Sequence, residues 1–237
     1  MNERELLTNG LAQILPQVCP QVVDKFLDFS ALLLEKNKVM NLTAVTEPSE
    51  VISRHFLDCA MVAPHMISGE KVVDVGTGAG FPGLPLAILC PETEFILLDA
   101  LHKRVVFLQE AIAALGLDNV TAVHARAEEY AKTHRATFDK AVSRAVANLR
   151  VLSELTLPLV RTGGAFLAMK AEGCADEVAD AQTAIDILGG SPAMIHRYMV
   201  PVSGIARALV EIRKLRETPE KYPRRFARIR AAPLGGK

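Results

Sequence analysis

The chain has 237 residues, half of them apolar, with 27 basic and 27 acidic residues that cancel to no formal charge. That length fits one large domain, or one domain with a small cap, and the apolar share is enough for a sizeable core. With 13 Pro and 15 Gly the composition is neither disordered nor fibrous. No apolar run reaches the roughly 18 residues of a membrane span, and the charged start, Met1-Asn2-Glu3-Arg4-Glu5, lacks the apolar stretch of a signal peptide. A cytoplasmic protein without a membrane partner is expected.

Aromatic residues are 5% of the chain and Trp is absent, so Leu, Val, Ile and Ala must fill the core. Residues 1–70 read as a helical cap. Leu6, Leu7, Leu11, Ile14 and Leu15 make one helical stripe ended by Pro16, and Val22, Val23, Phe26, Leu27, Phe29, Leu32 and Leu33 make a second, running to about Asn37. A polar loop covers 37–48, and Ser49-Glu50 opens a third helix through 61 that carries Asp58.

From Lys71 short apolar strands alternate with helices. Strands are predicted at 72–75, 95–99, 120–124, 139–143 and 165–169, with helices at 82–89, 103–115, 127–132, 149–157 and 175–188 between and after them. Two more strands, 195–200 and 206–212, flank the short turn Pro201-Val202-Ser203-Gly204, so one of them should run antiparallel. Alternating β and α with nearly continuous apolar strands means a mostly parallel sheet covered on both faces. Its ligands sit beyond the carboxyl ends of the strands, at the switch point beside the first.

Charge is unevenly spread. Residues 213–237 hold nine Lys or Arg and two Glu, a segment of +7 on a body of −7. A basic tail over 216–237 reads as a contact for a polyanion or as a solvated end. The four cysteines, Cys19, Cys59, Cys90 and Cys174, form no CxxC pair, so zinc or a redox dithiol is not expected and buried free thiols are.

The first strand ends in Asp74-Val75-Gly76-Thr77-Gly78-Ala79-Gly80-Phe81-Pro82-Gly83. Two spacings overlap here: D-x-G-x-G-x-G, typical of S-adenosylmethionine sites, and GxGxxG over Gly78, Gly80 and Gly83, the dinucleotide fingerprint. A dinucleotide rests its pyrophosphate on free N–H groups of the next helix, and Pro82 and Pro85 remove two of them. Asp74 opposes a diphosphate and suits an ammonium and a sulfonium, or is a hydrogen-bonded strand end. Asp99, ending the second strand, can accept both ribose hydroxyls or be a solvated loop acid. Ala127 and Glu128, after the third, can read an adenine edge, although Glu128 also fits a helix N-terminus. Arg144 ends the fourth strand and points to the cavity mouth or snorkels at the surface. His55 reads as a satisfied structural histidine.

With these residues placed, the chain resembles the bacterial small-subunit ribosomal RNA methyltransferase G family, also called glucose-inhibited division protein B. The resemblance runs from Asn37 to the tail. It rests on Asn41-Leu42-Thr43, Arg54-His55-Phe56-Leu57-Asp58, the 74–83 segment, Leu98-Asp99-Ala100 with Lys103-Arg104, Ser143-Arg144-Ala145, Gly163-Gly164 and Tyr222-Pro223-Arg224-Arg225. Cys59 stands where the family usually has Ser, Lys36 where an aromatic often stands, and the tail after Arg225 lacks the usual Gly, Pro and Lys.

The resemblance implies an α/β class I methyltransferase (Rossmann-like) fold: a mostly parallel seven-stranded sheet with one antiparallel strand, spanning 71–215, beneath the N-terminal cap. It implies S-adenosyl-L-methionine as cofactor and methylation of guanine N7 in the decoding-site loop of 16S rRNA, within the small ribosomal subunit or its assembly intermediate. The family's cofactor contacts fall on Gly76, Phe81, Ala127, Glu128 and Arg144, to which the residues themselves add Gly78 and Asp99. No general base is expected, because N7 already carries a lone pair. Arg224 and Arg225 would contact RNA phosphates, and a monomer is expected. The alternatives are a nicotinamide (NAD-dependent) oxidoreductase and a non-enzymatic RNA-binding module.

Overall fold

The computed structural model describes residues 2–144 and 147–236. Ala145, quoted above after the fourth strand, lies outside them. The first helix, α1 (Glu3–Leu11), is closed by a capping box: Asn2 Oδ1 accepts the Glu5 N–H at 2.9 Å and the Glu5 carboxylate accepts the Asn2 N–H at 3.0 Å. It is shorter than its apolar stripe. Residues 12–15 turn off the helix axis, with the Leu15 N–H still bonded to Leu11 O at 2.9 Å, because the residue before Pro16 is pushed out of the helical region. Helix α2 (Pro20–Met40) starts on a proline and closes at Asn41 in the left-handed region, φ 50°. The predicted third helix is α3 (Pro48–Val51), a π-helical turn (Ile52–Phe56) and α4 (Leu57–Ala60) in succession. The wide turn holds His55 and precedes Asp58.

The α/β part follows in the expected order. It comprises β1 (Lys71–Val75), α5 (Gly83–Leu89), β2 (Glu94–Asp99), α6 (His102–Ala114), β3 (Val120–His124) and α7 (Ala127–Tyr130). Then come β4 (Phe138–Arg144), α8 (Leu149–Thr156), β5 (Val160–Ala171), α9 (Ala175–Ile187), β6 (Met194–Met199), β7 (Ala206–Arg213) and α10 (Phe226–Ala231). Strand β5 is longer than its apolar run, since a register shift opposite Phe138 and Lys140 absorbs Gly163-Gly164. The sheet order is β3-β2-β1-β4-β5-β7-β6, with β7 antiparallel to both of its neighbours. The chain reverses direction across the sheet between β1 and β4, which opens the switch-point crevice there. Ser143 Oγ donates to Val75 O at 2.8 Å and ties the two strand ends together.

Each sheet face has its own core. On one, α1, α2, the 48–60 helices, α5 and α6 bury Leu7, Phe26, Phe29, Phe56 and Leu108 among the strand side chains. Phe56 packs on Phe26 and Phe29 with centroids 4.9 and 5.5 Å away. The N-terminal helices therefore share the core of the sheet. The other face is covered by α8 and α9 with Ile229 of α10. Of the cysteines, Cys59 and Cys174 are buried, while Cys19 is exposed at the N-cap of α2, where Pro20 starts the helix at the surface.

The C-terminal residues are held down. Arg224 grips the fully buried Glu154 of α8, Nε to Oε1 at 2.8 Å and Nη2 to Oε2 at 2.6 Å, and its N–H adds a third bond at 2.9 Å. Arg135 donates to Tyr222 O at 2.8 Å and to Thr218 O, and Arg150 donates to Leu234 O and Pro233 O at 2.7 and 3.0 Å. Removing one partner of a buried, hydrogen-bonded pair strands the other charge. Glu154→Ala should therefore lower the stability by about 3 kcal/mol. Urea unfolding will show this, and amide exchange over 222–231 should accelerate with it.

Candidate active site

The site begins where β1 stops. Asp74 is fully buried, and its Oδ2 accepts the Gly83 N–H at 2.8 Å, so the strand end holds the first residue of α5. No side chain fits at Gly83: a Cβ would stand 2.2 Å from Leu97 Cδ2 and 2.8 Å from Asp74 Oδ2. Between these anchors Gly76 and Gly78 take φ of 74° and 63°, the left-handed region that favours glycine.

The donors of this turn face inward. The Gly76 and Thr77 N–H groups bond Leu98 O at 2.9 and 3.0 Å, and Gly78 N–H bonds Asp99 Oδ2 at 3.0 Å. At the start of α5, Pro82 and Pro85 have no N–H, Gly83 is taken by Asp74, and Leu84 bonds Gly80 O at 2.8 Å. Those four positions leave no donor for a diphosphate. Asp74 lies beneath the turn and shapes it from below, which favours the strand-end reading over direct contact with a ligand. Burial is the main force on its carboxyl and pushes its pKa up to about 7, against the Thr77 hydroxyl, the Gly83 N–H and Arg144, which favour the anion.

Two cavities meet at Gly76. The first, about 240 Å³, is lined by Gly76, Asp99, Ala127 and Glu128, with Leu155 of α8 and Phe226 of α10 closing it. Asp99 is only 5% exposed, which excludes a solvated loop acid. It accepts the Leu101 N–H at 2.8 Å and stands 3.4 Å from Arg104 Nη1. A carboxylate offers about four acceptor sites, and the Gly78 N–H, the Leu101 N–H and Arg104 use three, so one hydroxyl donor can still be received.

The second cavity, about 350 Å³, is lined by Thr43, His55, Gly76, Gly78, Phe81 and Arg144. The Arg144 guanidinium lies over the Phe81 ring, 4.6 Å from its centroid, and 3.6 Å from Asp58 Oδ2. It lines this cavity and the next. Asn37 clamps the backbone of Thr43, accepting its N–H at 2.9 Å and donating to its carbonyl at 3.0 Å.

His55 is satisfied on both nitrogens: Nδ1 is 3.1 Å from Arg54 O and Nε2 is 2.9 Å from Thr43 Oγ1. A carbonyl can only accept, so Nδ1 carries the proton and Nε2 accepts from the threonine. Burial first, then Arg144, lowers the His55 pKa to about 4 and keeps the ring neutral. Beyond His55 and Arg144 a third cavity of about 360 Å³ opens toward Arg54, Asp58, Lys170 and Arg207.

Several of these residues were not visible in the sequence. Tyr198 of β6 donates to Asp58 Oδ1 at 3.0 Å, and Arg207 of β7 stands 3.9 Å from Asp58 Oδ2. Both reach Asp58 across more than a hundred residues, and no spacing rule connects them. Burial raises the Asp58 pKa, while Arg144, Arg207 and Tyr198 act in the opposite sense. The Cys59 thiol, which replaces the family's usual Ser, is fully buried and pushed up to about 12, so it is packing and no nucleophile. Of the two tail arginines, Arg225 is exposed and Arg224 is engaged with Glu154.

A sheet of this order, with β7 inserted antiparallel between β5 and β6 and a glycine turn after β1, is the Rossmann-like fold of class I methyltransferases. Solved structures share it. TYW2 from M. jannaschii, in complex with AdoMet, superposes with a TM-score of 0.54 at 16% identity, over 67% of this chain and 75% of that one. The YcgJ protein from Bacillus superposes with a TM-score of 0.52 at 14% identity, over 68% of this chain and all of that one.

The family described as rRNA small subunit methyltransferase G matches residues 22–219. Ribosomal RNA small subunit methyltransferase G of Clostridium tetani is 44% identical over 213 residues, covering 88% of this chain and 89% of that protein. The Alkaliphilus metalliredigens protein of the same name is 42% identical over 229 residues, covering 95% and 96%. The chain belongs to the rRNA small subunit methyltransferase G family and is an rRNA methyltransferase.

The buried Asp74 has a measurable signature. Its folded pKa of about 7 lies above the 3.8 of an ordinary aspartate. Between about pH 4 and pH 7 the folded state holds the extra proton, and this group's contribution to stability falls as pH rises. Asp74→Asn keeps an acceptor for Gly83 and removes the titration. The melting temperature of the variant minus that of the parent should grow from pH 5 to pH 7.5, and a constant difference contradicts the assignment.

Proposed function

We propose that this chain transfers a methyl group from S-adenosyl-L-methionine to N7 of a guanine in the decoding-site loop of 16S rRNA. The observation that carries this reading is a run of three cavities along the strand ends, the second sharing Gly76 with the first and His55 and Arg144 with the third. The cofactor supplies an electrophilic methyl on a sulfonium centre. The chain's own residues hold, orient and exclude.

The residues present fit that cofactor. The inward-turned donors of the glycine turn and the donor-free start of α5 disfavour a diphosphate, and with it the nicotinamide alternative. In the first cavity Asp99 accepts a ribose hydroxyl, while the Ala127 backbone and the Glu128 carboxylate read the adenine edge. In the second, Gly76 and Gly78 allow close approach, Phe81 packs alongside, and Arg144 pairs with the carboxylate of the amino-acid part.

The target guanine enters the third cavity, which shares His55 and Arg144 with the second. Arg54 and Arg207 there suit a nucleotide's phosphates. N7 of guanine is an unprotonated lone pair, so attack needs no proton removed. In this reading His55, neutral and bonded on both nitrogens, and the ion-paired Asp58 position the site and take no proton. Catalysis is then mainly alignment and exclusion of water. Methylation at N7 leaves the purine cationic, and the Asp58 carboxylate is placed to favour it. The base must leave its stack to reach the cavity.

Labelled methyl transfer to small subunits lacking the modification, followed by mapping, tests the reading: 7-methylguanosine at a single site is expected. A methyl on N1, N2 or a ribose oxygen overturns it, since each of those needs a base. The tail has its own test. Arg224 is occupied by Glu154, so RNA phosphates fall to the exposed Arg225, Arg228 and Arg230. Arg225→Ala should reduce the slope of log affinity against log salt by about 0.7–0.9, one phosphate contact. No change in slope removes Arg225 from the RNA interface.

A further inference from the structure

We propose that Phe226 is the outer wall of the adenine pocket, so that the C-terminal segment is a working part of the cofactor site. This rests on the reading that the adenosine half of S-adenosyl-L-methionine occupies the cavity beside Asp99 and Glu128. Phe226 opens α10 and lines that cavity together with Leu155 of α8. The other walls are mostly small or aliphatic, with Leu98, Ala100, Ala125 and Ala127, and carry two arginines, Arg104 and Arg126. A flat heteroaromatic ring entering between them finds carboxylates at Asp99 and Glu128, and Phe226 is the one aromatic side chain among the described lining residues, able to stack on its face.

The ring's position is built into the fold. Phe226 follows Arg225, the N-cap of α10, and Arg224, whose side chain is locked on Glu154 by two hydrogen bonds. Three residues on, Ile229 is fully buried in the core beneath α8, so the helix cannot rotate the ring away without exposing it. Arg126, which lines the same cavity, lies over the Phe226 ring, 5.9 Å from the centroid. These three constraints hold the aromatic ring at a cavity that Glu128 of α7 also lines. The basic tail is then more than a phosphate contact. Through Phe226 it contributes apolar surface to the small-molecule site.

Stacking of an aromatic side chain on a base is sequence-tolerant and substantial, and its loss can be read by titration calorimetry on the full chain. The probes are S-adenosylhomocysteine and adenosine, which share the ring and ribose and differ in the amino-acid part. Phe226→Ala should weaken both by the same factor, about tenfold, while Phe226→Tyr restores most of the affinity for both. A residue acting only through stability would lower the melting temperature of the ligand-free protein and leave both affinities unchanged when measured well below that temperature. Should Phe226→Ala leave both affinities unchanged while Asp99→Ala weakens them, the wall assignment falls and the adenosine site stands. Should Asp99→Ala also change nothing, the adenosine half lies elsewhere and both readings fall. If Phe226→Ala does not fold, Phe226→Leu replaces it, with a smaller but equal loss for the two probes as the expected result.

Discussion

The site depends on one buried contact, the Asp74 carboxylate at the end of β1 holding the Gly83 N–H at the start of α5. It fixes both ends of the glycine turn, and the absence of room for a Cβ at Gly83 keeps them close. With the ends fixed, Leu98 and Asp99 take up the donors of the turn, and two prolines leave the helix start without donors to offer. A turn whose N–H groups face inward does not attract phosphate. The same backbone topology that serves a dinucleotide elsewhere is given the opposite electrostatic preference here.

Around that turn the two ends of the chain close the crevice from opposite sides. The N-terminal helices bring Thr43, His55 and Asp58 against one half, on a π-helical turn that offsets His55 from a regular helix. The C-terminal segment brings Phe226 against the other. Neither end is an independent unit, since the first shares its core with the sheet and the second is strapped to α8 by Arg224 and Arg150. Where the far half of the crevice opens, Asp58 gathers Arg144, Tyr198 and Arg207 from three different strands. The cationic rim is thereby anchored on an acid that is itself buried.

Much of this was legible from residue order. Strand ends are marked by where apolar runs stop, and in a parallel sheet all those ends share one edge. Gly76, Asp99 and Arg144 could therefore be placed near one another without coordinates. Helix extents were less legible: α1 breaks up ahead of Pro16 before its apolar stripe ends, and the third helix contains a wide turn that no spacing in the sequence marks. The tail was least legible. Its charge suggested free cations, yet Arg224 is paired with a glutamate 70 residues earlier. Formal charge counts say nothing about which partner is already present.

By itself the sequence determined the alternation of elements, the parallel sheet, the glycine turn and the identity of the residues at the strand ends. These follow from local periodicity, proline and glycine stereochemistry, and short-range spacing. Only the tertiary structure decided which acid supports the turn from below and which arginines are already paired. It also decided which side chains from β6, β7 and α10 complete the cavities. Those are contacts between residues far apart in the chain, and their energy depends on burial and distance, which residue order does not encode.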